Sequence, residues 1–419
     1  MKGPQKPFYK KSMKERHSTL QISASLSDEE IERYKKFGSL GEELSDYFIE
    51  NSIGVMEVPL GIALNFIVNS REVIVPMAVE ESSVVAAASY AAKLARPSGG
   101  FFATTSGSIM IAQIQLLNCD DTHGARLKIM EQKDEILTLA RNQDPTLESL
   151  GGGPCDLQVR ILENSDDPMI IVHLLVDTKD AMGANTVNTM AESIAPLLEK
   201  ITNGQVCLRI ISNLADQRLA RSRCIIKKQD IGEDTVDGVV RAYQFAKMDP
   251  YRAATHNKGI MNGISAVVLA TGNDTRAVEA GAHAFAAKSG QYSPLTTWEK
   301  NRDGDLIGTI ELPLAVGTVG GTVSLHPKAK TNLKILGAET SENLAEIMAS
   351  VGLAQNFAAL RALATEGIQA GHMKLHAKNI AIMAGASSGN LEQIVSRMIA
   401  EGNIRLDRAK EIIKELRTF

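Results

Sequence analysis

Cysteine is scarce in this sequence, whose 419 residues include only Cys119, Cys155, Cys207 and Cys224. No two of them form a CxxC pair, so the pattern argues against both a disulfide framework and a zinc knuckle. Cys224 lies in the basic segment 221–228, where neighbouring cations could lower the pKa of its thiol. A buried or inert thiol is nevertheless the favoured interpretation for each of the four cysteines.

The sequence also lacks a large excess of one charge and a long apolar run. The formal net charge is -4, which disfavours nucleic acid as a partner. Because the protein as a whole is negatively charged, an anionic ligand would have to bind to local basic groups or helix N-termini. No window approaches the roughly 18 apolar residues of a membrane-spanning helix. The basic N-terminal segment has no apolar stretch behind it and does not resemble a secretory signal. We therefore expect a cytoplasmic protein without a membrane partner.

Several common ligand-binding motifs are missing. The sequence has no GxxxxGK[ST] phosphate loop, no GxGxxG fingerprint, no HExxH zinc motif and no GxSxG nucleophile elbow. The glycine-rich segment GTVGGT at 317–322 has the wrong spacing for a dinucleotide fingerprint. No cluster of histidine, cysteine and aspartate has metal-ligand spacing, so we expect no metal. A dinucleotide, if one binds, must bind to a fold other than the Rossmann fold.

Hydrophobic periodicity indicates an α+β protein. The pattern predicts helices at 27–37, 41–50, 80–95, 257–271 and 341–365, a strand hairpin at 62–79 and a C-terminal helical hairpin at 389–418. Between 107 and 216, four alternating apolar runs are separated by helical stretches at 124–142 and 183–200. This order is typical of a small ferredoxin-like domain.

The predicted organisation has two domains and a mobile C-terminal flap. They are a large mixed helical and β substrate domain in two parts, 1–106 and 217–375, an inserted small cofactor-binding domain at 107–216, and a helical flap at 376–419.

Two segments place charged side chains beside apolar helices. Glu80 and Glu81 precede an alanine-rich helix, where acidic residues usually just complement the helix dipole. The helix is too apolar for a surface element, so a carboxylate there could be partly buried and act as an acid. In YRAATHNKGIMNG (251–263), Lys258 lies at the start of a predicted buried helix. Burying the charge of a lysine costs free energy unless the ammonium group is paired or extends to solvent.

Three further segments are ambiguous on residue chemistry alone. Asp274, in TGNDTRAVEAGAHA, suits either a helix cap or a site. His372 and His376 lie four residues apart and therefore on one face of a helix, an arrangement more often structural than functional. In KDAMGANTVNTM (179–190), a turn opens a helix whose backbone N–H groups could bind a pyrophosphate.

Together these five segments resemble the signature stretches of class II 3-hydroxy-3-methylglutaryl-CoA (HMG-CoA) reductases. They occur in that family's order, with ENSIG at 50–54, and the similarity extends along nearly the whole chain. The resemblance implies a nicotinamide-dependent oxidoreductase of isoprenoid metabolism, which reduces HMG-CoA to mevalonate and coenzyme A in two hydride transfers. Ser82 and Thr275 depart from the family pattern, in which proline and tryptophan are frequent at these positions.

The resemblance implies four catalytic roles. Lys258 stabilises the oxyanion formed by each hydride addition, and Asp274, if paired with Lys258, keeps that lysine charged. Glu81 delivers or recovers protons at the carbonyl oxygen. His372 protonates the departing coenzyme A thiolate.

The resemblance also implies binding residues. The expected substrate and coenzyme A contacts are Ser83, Arg252, Asn262 and His376, with the basic arm Lys10-Lys11. The expected cofactor contacts are Asp180, Met182, Gly183, Asn185 and Asn213.

Asp144 predicts a preference for NADH over NADPH. A carboxylate beside the adenine ribose accepts hydrogen bonds from its hydroxyls and repels a 2′-phosphate. An interpretation of equal weight is a turn or helix-cap residue, since Pro145 follows. Arg141 nearby would instead favour the phosphate of NADPH.

The resemblance further implies a homodimer, or an assembly of dimers, with the site between subunits. Three alternatives stay open: the same site run oxidatively in mevalonate catabolism, a catalytically silent acyl-CoA-binding relative, and a thiolase-like acyl transferase. The last needs an activated cysteine, for which the sequence has no motif.

Overall fold

The computed structural model describes residues 11–23, 27–163, 168–365, 368–387 and 389–417. The helices are α1 (Met13–Ser23), α2 (Asp28–Tyr34), α3 (Glu42–Phe48), α4 (Val84–Ala95), α5 (Thr122–Glu131), α6 (Lys133–Arg141), α7 (Pro145–Ser149), α8 (Ala184–Thr202), α9 (Lys228–Ile231), α10 (Glu233–Met248), α11 (Pro250–Ala270), α12 (Thr275–Ala286), α13 (Gly321–Leu325), α14 (Pro327–Leu336), α15 (Ser341–Ala364), α16 (Ile368–Met383), α17 (Leu391–Ala400) and α18 (Leu406–Arg417), with a 3₁₀ turn at Arg96–Ser98. The strands are β1 (Leu60–Val68), β2 (Arg71–Ala78), β3 (Phe101–Thr105), β4 (Ile109–Leu117), β5 (Gly153–Leu162), β6 (Met169–Asp177), β7 (Gln205–Ile211), β8 (Leu219–Ile226), β9 (Thr296–Lys300) and β10 (Leu306–Pro313).

The larger of two sheets has the strand order β2-β1-β3-β8-β10-β9. Its strands β1 and β2 form the predicted hairpin, in which Val68 pairs with Arg71 across the turn. Helices α4, α11 and α15 pack on one another and on this sheet. Buried alanines such as Ala88 and Ala92 on α4 leave room for α15 to approach closely.

The smaller sheet has the strand order β5-β6-β4-β7, and all its neighbours are antiparallel. Helices α5 and α6 follow its first strand and α8 follows its third, which is the ferredoxin-like order that the sequence predicts. These helices and the sheet enclose a hydrophobic core of their own. The α+β fold class is therefore confirmed.

The segment that forms the small sheet is inserted between β3 and β8, two neighbouring strands of the large sheet that a short turn could otherwise connect. Strands β3 and β8, which flank the insertion, are antiparallel neighbours, and Thr105 lies opposite Ala220. The backbone N–H of Ser106 also donates to the carbonyl of Leu219 over 2.9 Å. The two ends of the inserted segment consequently lie side by side.

Three predicted helices differ in extent from those observed. Helix α4 begins at Val84 rather than residue 80, because Ser83 has a left-handed backbone with φ of 76°. Helix α11 begins at Pro250 rather than 257, capped by the Asp249 side chain, so Lys258 lies in its interior and does not head it. The predicted helix at 124–142 is divided into α5 and α6 at Gln132.

Helices α16, α17 and α18 form a three-helix unit at the C-terminus. Its separate core contains Ala377, Ala381, Ile394, Met398, Ala409, Ile412 and Ile413. Helices α17 and α18 correspond to the predicted hairpin at 389–418. Helix α16 begins at Ile368, before the predicted start of the flap at residue 376.

Within the described ranges, α15 is the helix long and apolar enough to cross a membrane by length and composition. No such segment is expected from the sequence. In the most apolar part of α15, 67% of the residues are buried inside the protein. There α15 packs against α4, α10 and α11. The burial makes it a central core helix of the large domain.

Candidate active site

A cleft of about 420 Å³ in the large domain brings many of the predicted residues together. It lies between α4, α11 and α15. Its polar lining consists of Glu81, Ser83, Arg252, Thr255, His256, Lys258, Asn262, Gln355 and Asn356. The remaining lining residues are glycine, alanine, valine and leucine, so polar groups converge in an otherwise apolar wall, as in many ligand-binding sites.

The turn between β2 and α4 supplies Glu81 and Ser83. A positive φ such as that of Ser83 costs on the order of 1 kcal/mol for a residue with a side chain and is found here directly before the helix. Such strain occurs often at binding sites, where the surrounding structure holds it in place. The turn thereby brings Glu81 to face α11.

Lys258 and Glu81 form an ion pair at this cleft. Lys258 Nζ lies 3.0 Å from Glu81 Oε2, and Asn262 Nδ2, one turn further along α11, lies 3.5 Å from the same oxygen. The Lys258 and Glu81 side chains are 62% and 39% exposed, so a ligand can reach both. A carboxyl group beside an ammonium group can, in its protonated form, give a proton to an oxygen whose negative charge the ammonium stabilises.

Arg252 is half-buried in the same cleft. Burial lowers the pKa of its guanidinium from the ordinary value. Among the described residues, no carboxylate lies within ion-pair distance of Arg252. A half-buried cation without a carboxylate partner is suited to bind an anionic ligand group.

A buried network next to Arg252 was not predicted from the sequence. Trp298 Nε1 and Thr296 Oγ1 both donate to Asn356 Oδ1, over 2.7 and 3.0 Å. The single proton of the Thr296 hydroxyl is used in its bond to Asn356. The hydroxyl oxygen therefore accepts a hydrogen bond from His256 Nε2, which lies 2.6 Å away. Burial, with a smaller effect of the Arg252 charge, lowers the pKa of His256 to about 3. The ring is therefore neutral, with its proton on Nε2.

Two buried polar atoms at the cleft have no hydrogen-bond partner among the described residues. They are His256 Nδ1 and Gln355 Oε1. Buried polar atoms are usually paired, so two unpaired ones beside one cleft support a polar ligand there. Gln355 and Asn356 interrupt the apolar pattern of α15, a signal in the sequence that could have identified them.

Asp274 does not join Lys258 within one chain. Its Oδ1 accepts from the N–H groups of Arg276 and Ala277 over 2.9 and 3.1 Å, so it caps α12. Burial alone would raise the pKa of Asp274, but the Ala277 N–H and the Arg276 side chain more than offset this, and the pKa is lowered. Lys258 is twelve residues from the end of α11, about 18 Å along the helix axis.

A second cleft, of about 350 Å³, lies beside α7 and the N-terminus of α8. Asp144 lines it and caps α7, since its Oδ1 accepts from the Leu147 N–H over 2.9 Å. Its Oδ2 accepts from the Thr186 hydroxyl of α8 over 3.2 Å. The helix-cap interpretation of Asp144 is correct, and the same side chain borders the cleft. Arg141 pairs with Glu148.

Residues 178–183, here called the cofactor turn, form one wall of this second cleft. Gly183 has a φ of 88° and precedes α8, whose first N–H groups receive no side-chain cap from the described residues. A Cβ on Gly183 would lie 2.4 Å from the Thr178 side chain, so a larger residue does not fit. An uncapped helix N-terminus is suited to bind a phosphate.

The other predicted cofactor residues lie near this turn or across from it. Asp180 lines the cleft, Met182 belongs to the turn, and Asn185 is exposed on the first turn of α8. Asn213 is exposed, and its carbonyl lies against α12, where a Cβ on Gly281 would approach it to 2.6 Å. The segment GTVGGT, rejected as a fingerprint, also contributes, because Val319 lines the cleft.

Two predicted residues on α16 and the basic arm complete the set. The His372 side chain lies outside the described residues, as does Lys10, although the backbone of α16 passes through position 372. His376 is exposed. His376 and Lys11 line neither cleft, and Lys11 Nζ donates to the Thr19 hydroxyl over 2.9 Å.

The thiols do not form a nucleophilic site. Burial raises the pKa of Cys224 to about 12, because it outweighs the smaller lowering effects of the Gly308 backbone and of the Arg223 charge. Burial also raises the pKa values of Cys119 and Cys155. No group of three or more potential metal ligands occurs within the described part of the chain.

A model of the hydroxymethylglutaryl-coenzyme A reductase family matches residues 12–377. The chain is 55% identical over 412 residues to the 3-hydroxy-3-methylglutaryl-coenzyme A reductase of Archaeoglobus fulgidus, covering 98% of this chain and 94% of that protein. It is 36% identical over 384 residues to the probable reductase of Borreliella burgdorferi, covering 90% of this chain and 86% of that protein.

The fold is similar to that of the class II reductase from Streptococcus pneumoniae, solved bound to NADPH in open conformations. The TM-score is 0.77 at 41% sequence identity, and the match covers 97% of this chain and 100% of the other. These matches confirm the resemblance found in the sequence, and they support an oxidoreductase with a nicotinamide cofactor. The chain belongs to the hydroxymethylglutaryl-coenzyme A reductase family, and within it to class II.

Proposed function

We propose that Glu81, Lys258, Asp274 and His372 catalyse in this chain the reaction of its family, the reduction of HMG-CoA to mevalonate and coenzyme A. The observation that carries the proposal is the contact of Glu81 with Lys258 and Asn262. This contact lies in a cleft that also holds Arg252, a cation suited to the substrate carboxylate. Ser83 lines the same cleft and is proposed to bind the substrate with Arg252 and Asn262.

Each reduction step adds a hydride to a carbonyl carbon and leaves negative charge on the oxygen. A reduced nicotinamide cofactor would supply one hydride in each step, so two cofactor molecules, exchanged between the steps, would be consumed per turnover. The ammonium of Lys258 stabilises the oxyanion, and Glu81 gives that oxygen a proton. When the thiohemiacetal collapses, Glu81 takes the proton back, the C–S bond breaks, and His372 is proposed to protonate the coenzyme A thiolate. The same groups lower the barrier in the oxidative direction, from mevalonate to HMG-CoA.

Substitution of the ion pair tests this assignment. Lys258→Ala is expected to lower kcat about 10²–10³-fold, because an oxyanion stabiliser is lost. Glu81→Gln keeps the side-chain shape but removes the proton donor, with an expected loss of about 10²–10⁴-fold. The measurement is the absorbance of the reduced nicotinamide during turnover of HMG-CoA.

The Lys300–Asp237 ion pair provides a matched control, because its side chains are exposed to a similar degree and lie outside the cleft. Lys300→Ala should keep wild-type turnover. Near-wild-type turnover in Lys258→Ala or Glu81→Gln would show that the catalytic assignment is wrong.

We also propose that each active site is shared between two copies of the chain. Lys258 lies in the N-terminal half of α11, whereas Asp274 follows its C-terminal end. Lys258 lies about 18 Å along the axis from the end of α11, and the Asp274 carboxylate beyond that end caps α12, which argues against a contact between them in one chain. If both act on one substrate, Asp274 must come from a second copy.

An exposed apolar surface on the β1–β2 hairpin supports this assembly. Leu60, Ile62 and Leu64 alternate along β1 with exposures of 46%, 49% and 45%, and Ile74 of β2 is 45% exposed. Several large apolar side chains on one sheet face are typical of a buried interface between chains. This apolar face was not identified from the sequence.

Mixing two inactive variants distinguishes a shared site from a single-chain site. Co-expressed Lys258→Ala and Asp274→Asn chains should recover about a quarter of wild-type kcat, because half of the dimers are mixed and each has one intact site. The control is each variant alone, which should stay inactive. An active monomer in sedimentation, or no recovery in the mixture, would contradict the shared site.

We further propose that NADH is preferred over NADPH. The carboxylate of Asp144 borders the second cleft beside the N-terminus of α8, where a dinucleotide phosphate would bind. There its charge repels a 2′-phosphate and its oxygens accept hydrogen bonds from ribose hydroxyls. Asp180, Met182, Gly183, Asn185 and Asn213 are the other proposed cofactor contacts.

The ratio of kcat/KM for NADH to that for NADPH measures the preference. Asp144→Asn removes the charge but keeps a good helix cap, and it should lower the ratio about tenfold, the effect of roughly 1.4 kcal/mol of lost repulsion. Asp121→Asn is the control, because Asp121 caps α5 in the same way and does not line the cleft. A wild-type preference for NADPH, or an unchanged ratio in Asp144→Asn, would overturn this proposal.

The C-terminal three-helix unit is proposed to be a flap that closes over the substrates. Its core is separate from those of the two domains, so it can move as a body. The backbone of α16 carries His372 and the exposed His376, a proposed coenzyme A contact. Closure would exclude water and bring the proton donor to the thiolate.

Truncation after Ala386 tests the flap. The shortened chain should bind NADH with wild-type affinity, because the second cleft is intact, but lose more than about 99% of turnover. The thermal unfolding midpoint of the two remaining domains serves as the control for folding. Full turnover in the truncated chain would show that closure is not required.

The alternatives receive less support. A catalytically inactive acyl-CoA-binding protein would not need the contact between Glu81 and Lys258. An acyl transferase would need a thiol more reactive than that of Cys224. The expected cytoplasmic location, and the expected absence of membrane and nucleic-acid partners, stay predictions.

A further inference from the structure

The Asn273 side chain joins the residue before Asp274 to a loop of the large domain. Its Oδ1 accepts from the Gly317 N–H over 2.8 Å, and its Nδ2 donates to the Gly317 carbonyl over 3.1 Å. Nδ2 also lies 3.1 Å from the Thr271 hydroxyl. The amide thus holds both polar groups of one backbone residue, as a neighbouring β-strand would.

Gly317 in turn lies directly against the cofactor turn. A Cβ at this position would lie 2.7 Å from the Met182 nitrogen and 2.9 Å from the Asp180 oxygen, so only glycine permits the approach. The next residue, Thr318, donates its N–H to the Asp180 carbonyl over 2.9 Å. Ala181 and Val319 then form a parallel bridge. One residue, Gly317, therefore separates Asn273 from the cofactor turn.

Arg218 supports the cofactor turn from within the protein. Its guanidinium is 4% exposed and donates to the Thr178 hydroxyl and to the carbonyls of Ala181 and Val316 over 2.9, 3.1 and 2.5 Å. Burial lowers the pKa of Arg218 to about 10, still well above neutrality, so the donors stay protonated. The turn is consequently held even when the contact through Asn273 is removed.

We propose that Asn273 is a positioning residue that fixes Asp274 relative to the cofactor bound at the cofactor turn. The proposal rests on the proposed roles of Asp274 and of the cofactor turn. Its physical basis is that hydride and proton transfer require reacting groups to be placed within a fraction of an ångström, and a misplacement of about 1 Å can cost roughly 100-fold in rate. Asn273 connects the two groups through a single residue, Gly317.

The proposal separates binding from turnover. Asn273→Ala should lower kcat about 10–100-fold and leave the Kd of NADH within about twofold of wild type, because Arg218 still holds the turn. The measurements are steady-state kcat with both substrates saturating, NADH binding by fluorescence, and thermal unfolding.

Asn69 offers a matched control. Its Oδ1 accepts from the Ala103 N–H over 2.9 Å and its Nδ2 donates to the Ala103 carbonyl over 3.0 Å, the same double contact at a residue that lines neither cleft. Asn69 also has a φ of 48°, so alanine there is strained and should cost at least as much stability. Asn69→Ala is expected to lower Tm without changing kcat.

A double variant shows whether Asn273 acts through Asp274. If it does, Asn273→Ala/Asp274→Asn is no slower than Asp274→Asn alone, whereas independent effects multiply. The positioning role is overturned if Asn273→Ala lowers Tm but keeps kcat, if it raises only the Kd of NADH, or if the effects multiply. Wild-type turnover in Asp274→Asn alone would instead refute the proposed role of Asp274.

Discussion

Helix α11 sets the distances on which both clefts depend. It runs without interruption over 21 residues, and its C-terminal carbonyl at Ala270 accepts from the Asn332 side chain over 2.7 Å, which fixes that end. Hydrogen bonds between successive turns prevent a helix from shortening. Arg252, Lys258 and Asn262 are therefore presented to the first cleft at one end, while the segment that leads to Asp274 emerges at the other.

Neutral partners satisfy the principal buried polar groups near the two clefts. The Arg218 guanidinium is surrounded by carbonyl and hydroxyl oxygens rather than by a directly bonded carboxylate. His256 is neutral and bonds to a threonine hydroxyl. Because no carboxylate among the described residues neutralises Arg252, its positive charge acts on whatever enters the cleft. The chain thus combines internal rigidity with an electrostatic field directed at a ligand.

Local sequence patterns predicted the elements that depend on local forces. The β1–β2 hairpin, the four strands of the small sheet and α15 follow from alternating or continuous apolar runs. The start of α11 was missed although Asp249 followed by Pro250 is a good helix-start signal. The start of α4 was missed because the left-handed backbone of Ser83 depends on tertiary contacts and has no pattern in the sequence.

The candidate site was predicted less completely, since its parts come from distant segments. Five segments gave the residue types, but pairing of Glu81 with Lys258 across 177 positions is a property of the fold. The segment that contains Gly317 was dismissed because its glycines lack the spacing of a dinucleotide-binding fingerprint. Gly317 is nevertheless important, because the absence of a side chain lets its backbone lie against the backbone of the cofactor turn. His256 lay inside a recognised segment, but its neutral state follows from burial and could not be derived from neighbours in sequence.

The side-by-side ends of the inserted small domain have a consequence for folding order. Pairing β3 with β8 in an unfolded chain would require closing a loop of more than a hundred residues, and the entropy of closure grows with the logarithm of loop length. A small domain that has already folded presents its ends together and reduces this cost by on the order of 2 kcal/mol. Contacts within 109–211 are also closer in sequence than the β3–β8 pair, which favours their earlier formation. Folding of the inserted segment thereby brings β3 and β8 together and favours closure of the larger sheet.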